Sequence, residues 1–85
     1  MPKKVYIGGL EMDVTSEELK EVFEEFGEII ESRVIKDRYT KQSRGFAFIT
    51  FKREEDADTA IAEADGGELD GVQIRVREAK ERKSR

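Results

Sequence analysis

Three aromatic residues, Tyr6, Phe46 and Phe48, fall where the alternation of extended chain puts them on one side of their segments, with Lys4, Arg75 and Arg77 on the same side. Aromatic rings stack on unpaired nucleobases, and lysine and arginine pair with phosphates. The set therefore carries the chemistry of a single-stranded nucleic-acid platform. The residues alone leave another reading open, in which the rings are covered by the tail or form a second core.

Such a platform needs strands. Residues 4–8 alternate and are rich in β-formers, which predicts a first strand, with Val5 and Ile7 opposite Lys4, Tyr6 and Gly8. Residues 9–14 read as a loop, and Gly8 as the point where the chain leaves the sheet. Thr15 followed by Glu18 is a capping-box pattern, and Leu19, Val22, Phe23 and Phe26 repeat as one apolar helix face before Gly27 ends it. Residues 29–36 read as a second strand, 37–43 as a polar hairpin loop and 44–52 as a third strand. In that third strand Ala47, Ile49 and Phe51 lie opposite Phe46, Phe48 and Thr50.

A second helix over 54–64 repeats the spacing with Ala57, Ala60, Ile61 and Ala64, and Gly66 and Gly67 end it. After the turn pair Asp70-Gly71, residues 72–77 read as one last strand, with Val72, Ile74 and Val76 opposite Gln73, Arg75 and Arg77. The order β-α-β-β-α-β predicts an α+β, ferredoxin-like sandwich, a four-stranded antiparallel sheet with two helices on one face and the first and third strands in the middle. One domain is expected over 1–79, followed by a basic solvated tail over 80–85.

The net charge of −4 argues against a polyanionic partner if it is spread evenly. It is not. Residues 11–31 hold nine acids and one base, and 54–71 hold eight acids and no base; residues 32–53 hold seven bases and one acid, and 72–85 six bases and two acids. Acids follow the helices, while bases follow the strands and the tail.

Other chemistries lack their residues. The absence of Cys and His excludes disulfides, thiol nucleophiles, Ser-His-Asp triads and the usual catalytic zinc sites. Gly8-Gly9 is not a dinucleotide fingerprint. Asp56, Asp58, Asp65 and Asp70 do not fit an EF-hand loop. No apolar run is long enough for a membrane span or a signal peptide. No catalytic residue, metal or cofactor is expected, and the chain is read as a binding module and a monomer rather than an enzyme.

VYIGGL at 5–10 and RGFAFITF at 44–51 resemble the paired RNP2 and RNP1 motifs of the RNA recognition motif family, with a helix between them as that family requires. The resemblance spans about residues 3–79. The wording KDRYTKQSRGFAFITF is most similar to members in SR-type splicing factors and glycine-rich RNA-binding proteins. It implies that Tyr6 and Phe48 each stack on a base, that Phe46 packs on the sugars between them and that Arg44 pairs with a phosphate. It also implies that Arg75, Arg77 and Lys80 meet base edges. Ser32 departs from the family's core aliphatic, which leaves the register of the second strand open, with Arg33 and Ile35 as its face residues. Arg38, Tyr39, Lys41 and Gln42 read either as an RNA grip or as a solvated loop, and the tail either as a nuclear-import fragment or as a solvated end.

The expected function is single-stranded RNA binding in mRNA processing or splicing, in a nuclear or nucleocytoplasmic setting. Two alternatives stand beside it: a sheet face that docks a protein partner, and a targeting module cut from an enzyme such as a peptidyl-prolyl isomerase. The acidic helix surface should repel RNA and leave the strand face as the favourable approach. Neutralising Glu17, Glu21, Glu24 and Glu25 together should raise non-specific RNA affinity and leave the bound footprint in place. A shifted footprint would contradict this.

Overall fold

The computed structural model describes residues 1–79; the proposed tail at 80–85, Lys80 included, lies outside the described residues. Strand β1 is Lys3–Gly8, helix α1 Ser16–Phe23 with a 3-10 turn at Glu24–Phe26, β2 Ile29–Lys36 and β3 Ser43–Phe51. Helix α2 is Glu54–Ala64, followed by β4 Glu68–Leu69, β5 Val72–Gln73 and β6 Arg75–Glu78. The main sheet runs β2-β3-β1-β6, all antiparallel, and β4 and β5 form a separate two-stranded ribbon. The ferredoxin-like α+β sandwich is as expected, with β1 and β3 central.

Alternation supplies the core. Val5 and Ile7 of β1, Ala47, Ile49 and Phe51 of β3, and Val76 of β6 are buried against Leu19 and Phe23 of α1 and Ala57 and Ala60 of α2. The alanines let α2 lie close to the sheet. Val22, placed on the apolar face by its spacing, is instead exposed, and Phe26 and Ile61 pack at the margin of the core.

The last strand is a correction. Residues 72–77 do not form one continuous strand: Val72-Gln73 pairs with β4, and Val72 is exposed rather than core. The break falls at Ile74, whose N–H donates to the Gly67 carbonyl and whose carbonyl accepts from the Gly66 N–H. These bonds tie the residue to the end of α2 rather than to a sheet.

Side chains at helix ends cover both sheet edges. At the β2 edge the Val34 N–H donates to Ser16 Oγ at 3.1 Å, and Ser32 Oγ donates to the Ser16 carbonyl at 3.0 Å. At the β6 edge the Val76 N–H donates to Asp65 Oδ1 at 2.9 Å. Unpaired edge groups are hazards for aggregation, and these bonds satisfy two of them while docking the helices. They also explain Ser32, which faces α1 and is hydrogen-bonded there.

Only half of the capping box forms. The Glu18 N–H donates to Thr15 Oγ1 at 3.1 Å, but the Glu18 carboxyl turns to Asp70 in the β4–β5 turn. The hydrogen bond with Asp70, then burial, then the charge of Asp70 raise the Glu18 pKa. A raised carboxyl pKa contributes stability below the unfolded value, and that contribution is lost as pH rises through the folded value. At neutral pH the pair is repulsive. Glu18→Gln keeps a donor for Asp70 at every pH, so it should raise the thermal midpoint at pH 7, with a gain that shrinks toward pH 4. An unchanged midpoint at pH 7 would contradict the pairing.

Candidate nucleic-acid interface

Cross-strand partners share a face, so the register lays out the open side of the sheet in rows. Arg33, Phe48, Tyr6 and Arg77 form one row across β2, β3, β1 and β6. Phe46, Gly8 and Arg75 form the row on one side of it, and Glu31, Thr50 and Lys4 the row on the other. Tyr6, Phe46, Phe48, Lys4, Arg75 and Arg77 are thus brought together as expected.

The three rings make a near-equilateral triangle. Centroids lie 5.9 Å apart for Tyr6–Phe46, 6.0 Å for Tyr6–Phe48 and 6.1 Å for Phe46–Phe48, with interplanar angles of 35°, 60° and 85°. These are favourable tilted and edge contacts. Each ring shields its neighbours, so all three are partly rather than fully exposed. The Lys4 ammonium sits 5.6 Å from the Phe48 centroid, within cation–π reach.

Gly8 is not where the chain leaves the sheet. It is buried within β1, and the Tyr6 ring lies over it in the space a side chain would fill. The exit is at Gly9, whose φ of +75° favours glycine and whose Cα hydrogens face the Gln73 carbonyl. Gly8 therefore lets the Tyr6 ring lie along the sheet beside Phe46.

The β2 register, left open by Ser32, is settled by a bulge. Ile29 opposes Phe51 and Glu31 opposes Thr50, so Ile30 is the extra residue and is exposed. Arg33 consequently lies on the open face opposite Phe48. The sequence placed Glu31 with the helix acids, but it stands on the same face. Conversely, Lys3 is a helix-side base: its ammonium meets Asp58 of α2 at 2.6 Å and Glu78 at 3.8 Å, and Asp58 raises its pKa most.

Arg44 is exposed near the start of β3, close enough for its charge to act on Asp37. Asp37 organises the β2–β3 loop. Its Oδ1 accepts from the N–H groups of Tyr39 at 2.8 Å and Thr40 at 3.0 Å, and its own N–H donates to the Gln42 carbonyl at 2.8 Å. The turn holds Tyr39 85% exposed with the Arg38 guanidinium 5.9 Å from its ring centroid, an aromatic displayed outside the core.

The sequence profile of the RNA recognition motif family matches residues 5–75, and the chain belongs to that family. It resembles the mitochondrial glycine-rich RNA-binding protein 4 of Arabidopsis thaliana, with 49% identity over 99% of this chain and 62% of that protein. It is 44% identical to the chloroplastic 28 kDa ribonucleoprotein of Spinacia oleracea over 96% of this chain and 35% of the relative. The chain thus spans less than two thirds of these relatives. Among solved structures, RNA-binding protein PG1 superposes with a TM-score of 0.90 at 38% identity, covering 96% of this chain and 99% of that one. The Rna15 RRM with bound RNA (GU) superposes at 0.82 and 26% identity, covering 92% and 83%.

The Thr40 and Tyr39 N–H groups, followed by Arg44, hold the Asp37 carboxyl below its ordinary value. A lowered carboxyl pKa gives stability that is present above the unfolded value, about 3.9, and is lost as pH falls through the folded one. The Tyr39 and Thr40 amide shifts should therefore stay constant from pH 7 to about 4 and move only below that. Asp37→Ala should move them at pH 7. A titration of these amides centred above pH 4 would contradict the assignment.

Proposed function

We propose that this chain binds single-stranded RNA across the open face of its sheet, without catalysis. The observation that carries the proposal is the row Arg33–Phe48–Tyr6–Arg77, two aromatic rings between two cations on the central strands, with Phe46 closing the ring triangle. Membership of the RNA recognition motif family and the RNA-binding names of its relatives support it.

In this reading Tyr6 and Phe48 each take one base by stacking, and Phe46 packs against the sugars between them. Arg33, Arg44, Arg75 and Arg77 supply charge-assisted contacts to phosphates and base edges. Lys4 leaves the Phe48 ring to the incoming base. Lys80 belongs to the proposed site on resemblance alone. About two or three bases fit such a sheet. The mRNA-processing or splicing role and the nuclear or nucleocytoplasmic setting are the finer part of the proposal. They rest on the resemblance to splicing-factor wording; two of the relatives named above are mitochondrial and chloroplastic.

Tyr6→Ala and Phe48→Ala should each weaken binding of a short unstructured RNA by ~1–3 kcal/mol, with the circular dichroism spectrum unchanged because neither ring is core. With about three phosphate contacts, log K should fall against log salt with a slope near −2. Unaltered affinity in both variants would overturn the proposal and turn attention to a protein partner for the face.

A further inference from the structure

An exposed aromatic ring with bases around it and an apolar groove with acids on its rim stand at separate places on this chain. We propose that the Tyr39 loop of one copy docks into that groove on a second copy, a contact between protein surfaces that is independent of the RNA reading above.

The groove lies between α1 with its 3-10 turn, α2 and β4, and holds about 160 Å³, room for one side chain rather than a chain segment. Val22, Phe26, Ala64 and Leu69 give it apolar walls. Val22 keeps the apolar spacing of α1 yet is exposed, because it borders this groove rather than the core. Glu25, Glu63 and Glu68 ring the opening, and no lining residue is basic. These three acids make no ion pair among the described residues. A partner that brings one apolar side chain between positive charges gains both burial and charge complementarity there.

The β2–β3 loop presents that combination. Lys36, Arg38, Lys41 and Arg44 lie around Tyr39 in sequence, and the one acid among them, Asp37, holds its carboxylate on the Tyr39 and Thr40 N–H groups at 2.8 and 3.0 Å. Those bonds fix the turn before a partner arrives, so docking loses little conformational freedom. The Tyr39 ring, 85% exposed, leaves water on docking. The Arg38 guanidinium, 5.9 Å from its centroid, then comes to the acidic rim, and the phenol hydroxyl donates to a rim carboxylate.

Two copies are needed. The loop joins β2 to β3 at one side of the β2-β3-β1-β6 order, whereas Leu69 belongs to the ribbon that precedes β6 at the other. The exposure of Tyr39 shows that its own groove does not hold it. The contact joins two different patches, so it is head-to-tail, and each added copy offers a free loop or groove to the next. The tail at 80–85, KERKSR, has the charge for the groove but no apolar side chain to fill it.

The test is sedimentation velocity of the whole chain without RNA, in low salt, from about 0.01 to 1 mM, the range that suits a small contact. The average mass of the wild type should rise with concentration, and the rise should shrink in about 0.5 M salt. Tyr39→Ala and Val22→Lys should each weaken association about tenfold or more, and Tyr39→Phe by no more than about threefold. Val22 is exposed and lysine is the better helix former, so Val22→Lys keeps the fold. Mixed in equal amounts, Tyr39→Ala and Val22→Lys should form a two-copy complex that neither forms alone, because one keeps the groove and the other the loop. A wild type that stays monomeric throughout, association untouched by Tyr39→Ala, or a mixture that stays monomeric would overturn the inference. Tyr39→Ala that loses RNA affinity with sedimentation unchanged also overturns it, makes the loop an RNA grip and leaves the sheet platform standing.

Discussion

β1 lies antiparallel on β3 in a register that sets Tyr6 against Phe48 and Gly8 against Phe46. Side chains alternate along both strands, so a slip by one residue would turn the rings toward the helices and Ile7 and Ile49 toward water. The opposite face holds the register. Val5, Ile7, Ala47, Ile49 and Phe51 are completely buried, and burying each of the larger ones is worth ~1.5–3 kcal/mol. A slip would forfeit several of these at once. The apolar side that meets no ligand thus fixes the geometry of the side proposed to meet one.

The electrostatics follow the same two-sided plan at finer grain than a count by segment. Lys3 turns away from the open face to pair with Asp58, and Glu31 stands on that face. The molecule is 19 Å through its thinnest dimension, while the screening length at physiological salt is about 8 Å. A ligand held on the open face is therefore governed by the charges of that face. The acids on the helices act mainly on approach and at low ionic strength.

Most of the fold was legible because two periodicities are clean. The apolar set Ala47, Ile49 and Phe51 alternates with the ring set, and the helices repeat at three and four residues. Tyr6, Phe46, Phe48, Lys4, Arg75 and Arg77 were placed on one face by alternation and by motif. Failures came where a single residue answers to a distant partner. Val72 keeps the strand period of Ile74 and Val76 yet pairs with β4, because Ile74 accepts from the Gly66 N–H and donates to the Gly67 carbonyl, which breaks the strand. Gly8 looked like an exit because glycine's usual reason is conformational, whereas here the Tyr6 ring needs its space. The bulge at Ile30 hid the place of Glu31 on the open face, where Arg33 stands as its reading as a face residue expected, and Ser32 is polar because Ser16 of α1 receives it. A polar residue at a core position beside a helix start beginning with serine was the one available signal.

The central claim is that the open face, and no other surface, receives RNA. An NMR titration of the labelled chain with a pool of short random single-stranded RNAs tests it most directly. Shifts concentrated on Tyr6, Phe46, Phe48, Arg33, Arg75 and Arg77, with the resonances of α1 and α2 still, are the predicted result. Shifts confined to the helices, or none at saturating RNA, would contradict the account.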